Sequence, residues 1–295
     1  MILATASFLL SATQPSLAFV ARFYKAGNAK SQFELYVSDM QGNNRKVLKT
    51  PVEPVAVQWI GHDRLAWFSE NALYTSKLSP WKPVLVKKTS TLHFGESRWR
   101  HTEPGMPELV EDFDRSKGVF VLDLKSLKLE PAMPTPGHGE YPLPDSKPTK
   151  YIDPNDPNHP IIVNSTKSDE FYEGFEYYVG GKVVNQEWPV YRAWYDDGQN
   201  KVWIWYGSHT STSGNINALM LFEKGKKPWT LFEDGNCVDF WPDRGVYAYC
   251  TLRETSSLGK KEVWTSQLHV GDWKKGSNKT ILKGLVWVPS VSIRP

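Results

Sequence analysis

Apolar and polar residues in this chain group into short runs broken by turn residues. Ala56-Val57-Gln58-Trp59-Ile60 is followed by Gly61-His62-Asp63 and then by Arg64-Leu65-Ala66-Trp67-Phe68. The same rhythm returns at Val190-Tyr191-Arg192-Ala193-Trp194-Tyr195, Asp196-Asp197-Gly198 and Lys201-Val202-Trp203-Ile204-Trp205-Tyr206. Short β-branched and aromatic runs bounded by Gly, Pro, Asn and Asp predict strands joined by tight turns. After residue 18, no apolar pattern of helical period lasts ten residues.

The strands fall into six similar units, each of four strands a to d, with a period of about 45 residues, the spacing of propeller blades. The second unit reads a at 56–60, b at 64–68, c at 72–78 and d at 83–88. The first supplies b from Phe19, c at 33–39 and d at 45–48, but has no strand a. The last ten residues, 286–295, read as a strand with no neighbouring partner. Placing that strand beside residues 19–24 completes the first unit and closes the ring.

The third unit is irregular: 92–94 and 98–100 are expected as a and b, a polar insert covers 101–117, and c lies at 119–124. In the fourth, a and b flank 153–158, while c and d flank Gly180-Gly181, a two-residue hairpin signal. The fifth adds c at 218–222 and d at 228–232 after a polar loop at 207–215. The sixth holds a hairpin at 237–250, then strands at 262–268 and 279–282. The expected fold is all-β: a six-bladed β-propeller with four-stranded antiparallel blades, closed by its N- and C-terminal strands.

Composition agrees with strands, since Trp, Tyr and Phe number 13 each. The net charge of +3 has both signs interspersed, and the lysine-rich spots at 224–227, 260–261 and 274–275 read as solvated turns. Without a concentrated basic stripe, no nucleic-acid partner is expected. Residues 1–18 join an apolar run to Ser16-Leu17-Ala18, the form of a secretory signal peptide cut after Ala18, although no Lys or Arg precedes the run. The run is too short for a transmembrane anchor. A mature propeller of residues 19–295, a monomer in the periplasm or secreted, follows as the expectation. Cys237 and Cys250 flank a turn at 242–245 that sets them opposite each other on adjacent strands, which predicts an intrachain disulfide.

Leu35-Tyr36-Val37-Ser38-Asp39-Met40-Gln41-Gly42-Asn43-Asn44-Arg45-Lys46-Val47-Leu48 resembles strands c and d of the TolB-like propeller repeat, with its tyrosine-containing strand and Asp-x-x-Gly turn. Trp241-Pro242-Asp243-Arg244-Gly245 and Tyr195-Asp196-Asp197-Gly198 resemble that repeat's a–b turn; Ser292-Ile293-Arg294-Pro295 does so loosely, and units three and four depart from it. The resemblance implies a binding platform, although related propellers accompany peptidases and some carry enzymatic sites.

The chemistry motifs are absent: there is no Gly-x-Ser-x-Gly elbow, no His-Glu-x-x-His and no phosphate-binding Gly-Lys-Ser/Thr loop. Asp153, Asn155, Asp156 and Asn158 form an oxygen-rich stretch that reads as turn chemistry, and Glu111, Asp112 and Asp114 lie in the charged insert. No catalytic residue, metal or cofactor is assigned. Loop lengths say more. Connections b–c are long at 25–32, 101–117, 164–172, 207–215 and 253–260, whereas a–b and c–d are tight. One face is therefore elaborated, and loops on a rigid scaffold are where recognition concentrates. His101, Phe171, Tyr172, His209, Arg253 and Glu254 are its candidate contacts, for a protein or surface glycan. The alternative is a propeller hydrolase or lyase acting on a carbohydrate or small molecule in the axial pocket.

Overall fold

The computed structural model describes residues 16–25, 31–60, 62–90, 92–94, 109–112, 119–122, 126–132, 149–153, 156–163, 175–179, 182–184, 190–195, 201–210, 214–241, 244–251 and 253–294. Every regular element among them is a strand.

Blade 1 contributes β1 (Leu17–Phe23), β2 (Glu34–Ser38) and β3 (Lys46–Leu48). Blade 2 is β4 (Pro54–Ile60), β5 (Arg64–Ser69), β6 (Ala72–Lys77) and β7 (Val84–Lys88). Blade 3 is β8 (Leu92–Phe94), β9 (Leu109–Asp112), β10 (Val119–Leu122) and β11 (Leu129–Ala132). Blade 4 is β12 (Thr149–Asp153), β13 (Asp156–Val163), β14 (Phe175–Val179) and β15 (Lys182–Val184). Blade 5 is β16 (Val190–Tyr195), β17 (Lys201–Thr210), β18 (Gly214–Glu223) and β19 (Trp229–Phe232). Blade 6 starts with β20 (Gly235–Trp241) and β21 (Val246–Thr251), is interrupted by a hairpin of β22 (Glu254–Leu258) and β23 (Lys261–Thr265), and ends with β24 (Leu268–Asp272) and β25 (Ser277–Leu282). The last strand, β26 (Val286–Ile293), joins β1 as the missing strand a.

Six four-stranded antiparallel sheets thus follow one another among the described residues, with the first and last strands, β1 and β26, in one sheet. This is a six-bladed β-propeller. Closure is in register: Phe19 faces Val291, Ala18 faces Ser292 and Leu17 faces Ile293.

Successive side chains along a strand point to opposite sheet faces, so each strand feeds two interfaces between blades. Leu17, Phe19 and Ala21 pack with Trp241, Ala248, Cys250 and Leu268 of blade 6. Their alternates Ala18 and Val20 pack with Val57, Trp59, Leu65 and Trp67 of blade 2. In blade 2, Ile60, Ala66 and Phe68 face Leu122 of blade 3. Between blades 5 and 6, Leu219, Leu221 and Phe232 meet Val238, Phe240, Tyr247 and Tyr249. Strands covered on both faces read as nearly unbroken apolar runs, which accounts for segments such as Leu65-Ala66-Trp67-Phe68.

Four expectations need correction. The strand expected from Phe19 starts at Leu17, and Leu17 and Ala18 are fully buried. Ser16 also donates its backbone N–H to Ser38 (2.8 Å) and accepts one from Arg294 (2.8 Å). A boundary after Ala18 would cut through β1, and the described hydrogen bonding of this blade reaches back to Ser16. In blade 3, strand b is β9, inside the stretch expected as a polar insert, so Glu111 and Asp112 sit on a strand; residues 98–100 and Asp114 lie outside the described residues. In blade 6, strand c is β24, and residues 262–265 belong to the added hairpin instead. The expected polar loop at 207–215 is mostly ladder, with His209 opposite Asn215. Of the oxygen-rich stretch, Asp153 pairs with Asp156 across the β12–β13 hairpin.

Candidate binding face

In this topology the a–b and c–d turns lie at one end of the barrel of blades, and the b–c and d–a connections at the other. The second, the loop end, carries the additions. There β1 finishes beside the start of β26, with Arg22 opposite Trp287 and Phe23 opposite Val286. Arg22 Nη2 lies 2.9 Å from Glu53 Oε1, which also accepts the backbone N–H of Phe33 at 2.7 Å. One carboxylate of the d–a connection therefore fixes both strand b and the b–c segment of blade 1. The Arg22 guanidinium stands 4.0 Å from the Phe33 ring centroid and 5.8 Å from that of Trp287, and those two rings meet edge-on at 4.9 Å. On the other face of the sheet, Tyr36 stacks on Phe19 at 5.3 Å. Burial first, and then its 2.5 Å hydrogen bond to Glu34, push the Tyr36 phenol well above its ordinary value.

The β22–β23 hairpin occupies the b–c connection of blade 6. Its root is fixed by paired contacts: Thr251 N–H donates to the Gln267 carbonyl (2.9 Å), and Gln267 N–H donates to Thr251 Oγ1 (2.9 Å). Ser266 N–H donates to the Val286 carbonyl (2.9 Å), and Val288 N–H donates to Ser266 Oγ (2.9 Å). Within the hairpin, Thr265 is buried and its hydroxyl lies 2.7 Å from that of Ser256. The neighbouring Trp264 is 44% exposed. Arg253 lies with its guanidinium 4.0 Å from the Trp264 ring centroid. An arginine over a tryptophan face gains cation–π attraction while its N–H groups remain available.

Of the residues singled out from sequence, the structure brings Arg253 and Glu254 together at the foot of this hairpin, with Glu254 paired to Thr265. His209 belongs to the separate β17–β18 extension. His101, Phe171 and Tyr172 lie outside the described residues. Sequence reasoning missed Trp264, because residues 262–268 read as a core strand. It also missed Arg22, Phe33 and Trp287, whose mutual side-chain contacts are not encoded in any local pattern.

Glu53 is engaged by Arg22 and Phe33, and the described residues contain no group of three His, Cys, Asp or Glu side chains close enough to hold a metal ion. At the axis, the buried Asp239 carboxylate accepts Ser292 Oγ–H (3.1 Å) and Ile293 N–H (2.6 Å), so it serves closure.

No family model and no curated protein matches the sequence. Solved structures are similar over most of the chain. The nidogen/laminin complex matches at 9% identity, covering 95% of this chain and 98% of that one, with a TM-score of 0.34. The β-propeller domain of the Trilobed protease from Pyrococcus furiosus matches at 13% identity over 95% and 86%, TM-score 0.43. A protein from Lactobacillus plantarum matches at 10% identity over 94% and 98%, TM-score 0.43. Similarity at this level does not extend to activity or partner.

Proposed function

We propose that this chain is an exported, monomeric, non-catalytic propeller of TolB-like type that captures a protein partner on its loop end. The observation that carries this reading is the Arg253–Trp264 pair, held on a hairpin that the blade architecture does not require. Arginine and tryptophan are the residue types that dominate protein-interface energetics, and here they extend beyond a face already lined by Phe33 and Trp287. The TolB-like assignment draws support from the Asp39 turn. Asp39 Oδ1 accepts the N–H groups of Gln41 (3.0 Å) and Asn43 (2.8 Å), and Gly42 takes φ +80, the conformation that calls for glycine.

Export is supported by the cysteine pair: Cys237 sits opposite Cys250 in the ladder, and the described residues hold no free cysteine. A disulfide there is tested by mass spectrometry of non-reduced peptides from protein made in an oxidising compartment; two alkylatable thiols would refute it.

Partner capture is tested by placing a photocrosslinking amino acid at Trp264, and separately at Val47 on the outer edge of blade 1. A discrete protein adduct at 264, absent at 47 and lost when Arg253→Ala is added, is the expected result. Identical adducts at both positions, or none at 264 in the native compartment, would remove the loop end as the binding face.

A further inference from the structure

At the opposite, turn end of the molecule, the c–d turns of blades 5 and 6 stand side by side. Between them is a cleft of about 550 Å³ lined by Lys226, Lys227, Lys274 and Lys275, by Trp229 and Trp273, and by Glu223. Two lysine runs one blade period apart in sequence are thereby brought to one place. Each turn is tight: Lys226 N–H donates to the Glu223 carbonyl (3.0 Å) and Gly276 N–H to the Trp273 carbonyl (3.3 Å). Gly225 and Gly276 take φ +76 and +63, which a glycine adopts without strain. The blade 6 turn is also held by Asp272 Oδ1, which accepts the Lys275 N–H at 3.1 Å, and all four lysines are exposed.

Two of the four lysines form ion pairs within their own turns. Lys226 Nζ lies 3.0 Å from Glu223 Oε2, and Lys275 Nζ lies 3.0 Å from Asp272 Oδ2. Lys274 stands 5.8 Å from the Trp273 ring centroid, and Lys227 adds a further ammonium. Among the described residues at the cleft, four lysines stand with two carboxylates, in a molecule whose overall charge is only slightly positive. Trp229 is 47% exposed, among the most exposed large apolar side chains described. Trp273 is half-buried, packed against the apolar seam of blades 5 and 6, and its backbone N–H donates to the Gly245 carbonyl at 2.8 Å.

We propose that this cleft binds an acidic glycan, a chain of sugar rings bearing carboxylate or sulfate groups. Tryptophan faces pack against the apolar C–H faces of sugar rings, while lysine ammoniums donate charge-assisted hydrogen bonds to the anionic substituents. The volume falls within the range of about 300–1,000 Å³ usual for small-ligand sites. Four flexible lysines around a shallow cleft suit a repeating anion whose charges recur along its length. This site is separate from the loop-end face, so the protein partner and the glycan can be held together.

The test uses the intact chain and isothermal titration with a heparin-derived oligosaccharide and an oligogalacturonate, beside neutral dextran and a single-stranded DNA oligomer. Expected are saturable binding of at least one acidic oligosaccharide, weakened by added salt, and no binding of dextran. Lys227→Gln with Lys274→Gln should weaken that binding at least about tenfold. Trp229→Ala should also weaken it. Lys260→Gln with Lys261→Gln, the same charge change at the other end, should leave it within about twofold. Lysine acetylation of the unaltered chain gives an independent readout: bound oligosaccharide should protect Lys226, Lys227 and Lys274 but not Lys260. Failure of both acidic oligosaccharides to bind at low salt overturns the proposal. So does equal loss in the Lys260/Lys261 control, tighter binding of the DNA, or protection that ignores the cleft. None of these outcomes bears on photocrosslinking at Trp264.

Discussion

The closing strand β26 and the added hairpin β22–β23 touch each other, yet they are held in opposite ways. β26 is paired to β1 along its length and is laced to both neighbouring blades by its own side chains. Ser290 Oγ and Ser292 Oγ accept the backbone N–H groups of Val57 and Trp59 (both 3.0 Å), while Ser292 Oγ–H and Ile293 N–H reach Asp239 of blade 6. Beyond it, Arg294 Nε donates to the His62 carbonyl (2.5 Å), and the Arg294 carbonyl accepts from Arg244 Nη1. The hairpin is anchored at its root, and its flank shows Trp264, Arg253 and Glu254 to solvent. Polar side chains in β26 are thus structural ties between blades, whereas aromatic and charged ones in the hairpin are available to a partner. Burial, more than residue type, separates the two roles.

The largest expected effect comes from removing β26. A chain ending at Leu285 exposes the inner edges of blades 1, 2 and 6 together and should lose its cooperative melting transition in calorimetry. A truncated chain that melts as the full chain does would show that the ring does not depend on closure.

Next is Asp239→Ala. It leaves Ile293 N–H and Ser292 Oγ without their acceptor in a buried site and should cost about 3 kcal/mol in urea unfolding. A loss below about 1 kcal/mol would mean that the β20–β26 tie contributes little.

His269 joins the blade 5–6 seam through Tyr249. It stacks on Tyr249 at 4.7 Å and shares a 3.1 Å contact between Nδ1 and Thr280 Oγ1, and its burial lowers its pKa from the ordinary 6.5. The folded state therefore takes up this proton at lower pH than the unfolded chain does. Its stability contribution is complete above about pH 6.5 and declines as pH falls through the unfolded value toward the lowered folded one. His269→Phe keeps the stacked ring and should flatten that part of the stability–pH curve; an unchanged acid slope would place the titration elsewhere.

The smallest effect on stability belongs to the hairpin. Arg253→Ala with Trp264→Ala should stay within about 0.5 kcal/mol of the unaltered protein while losing the crosslinked adduct. Destabilisation of several kcal/mol would make the pair structural.

Much of this contrast was legible in the sequence, and the parts that were not share a cause. Blades 1, 2 and 5 could be read because their tight turns, Gly61-His62-Asp63 and Asp196-Asp197-Gly198 among them, punctuate apolar runs at regular spacing. The closing strand could be read because 286–293 had no local partner. The β22–β23 hairpin was mistaken for strand c because Val263-Trp264 has the same apolar pattern as a core strand; alternation does not reveal which face is covered. The start of β1 at Leu17 was hidden because small and apolar residues serve a cleavage site and a buried strand equally well. The lysine cleft was invisible for another reason: lysines 224–227 and 274–275 each look solvated alone, and only radial packing of blades 5 and 6 joins them.

Hydrogen exchange at single-amide resolution separates the two regions. Amides of Val57, Trp59, Val288 and Ile293 should exchange only through global unfolding, while those of Ser257 and Leu258 toward the hairpin tip should exchange orders of magnitude faster. Equal protection of β26 and the hairpin, or faster exchange in β26, would contradict this order.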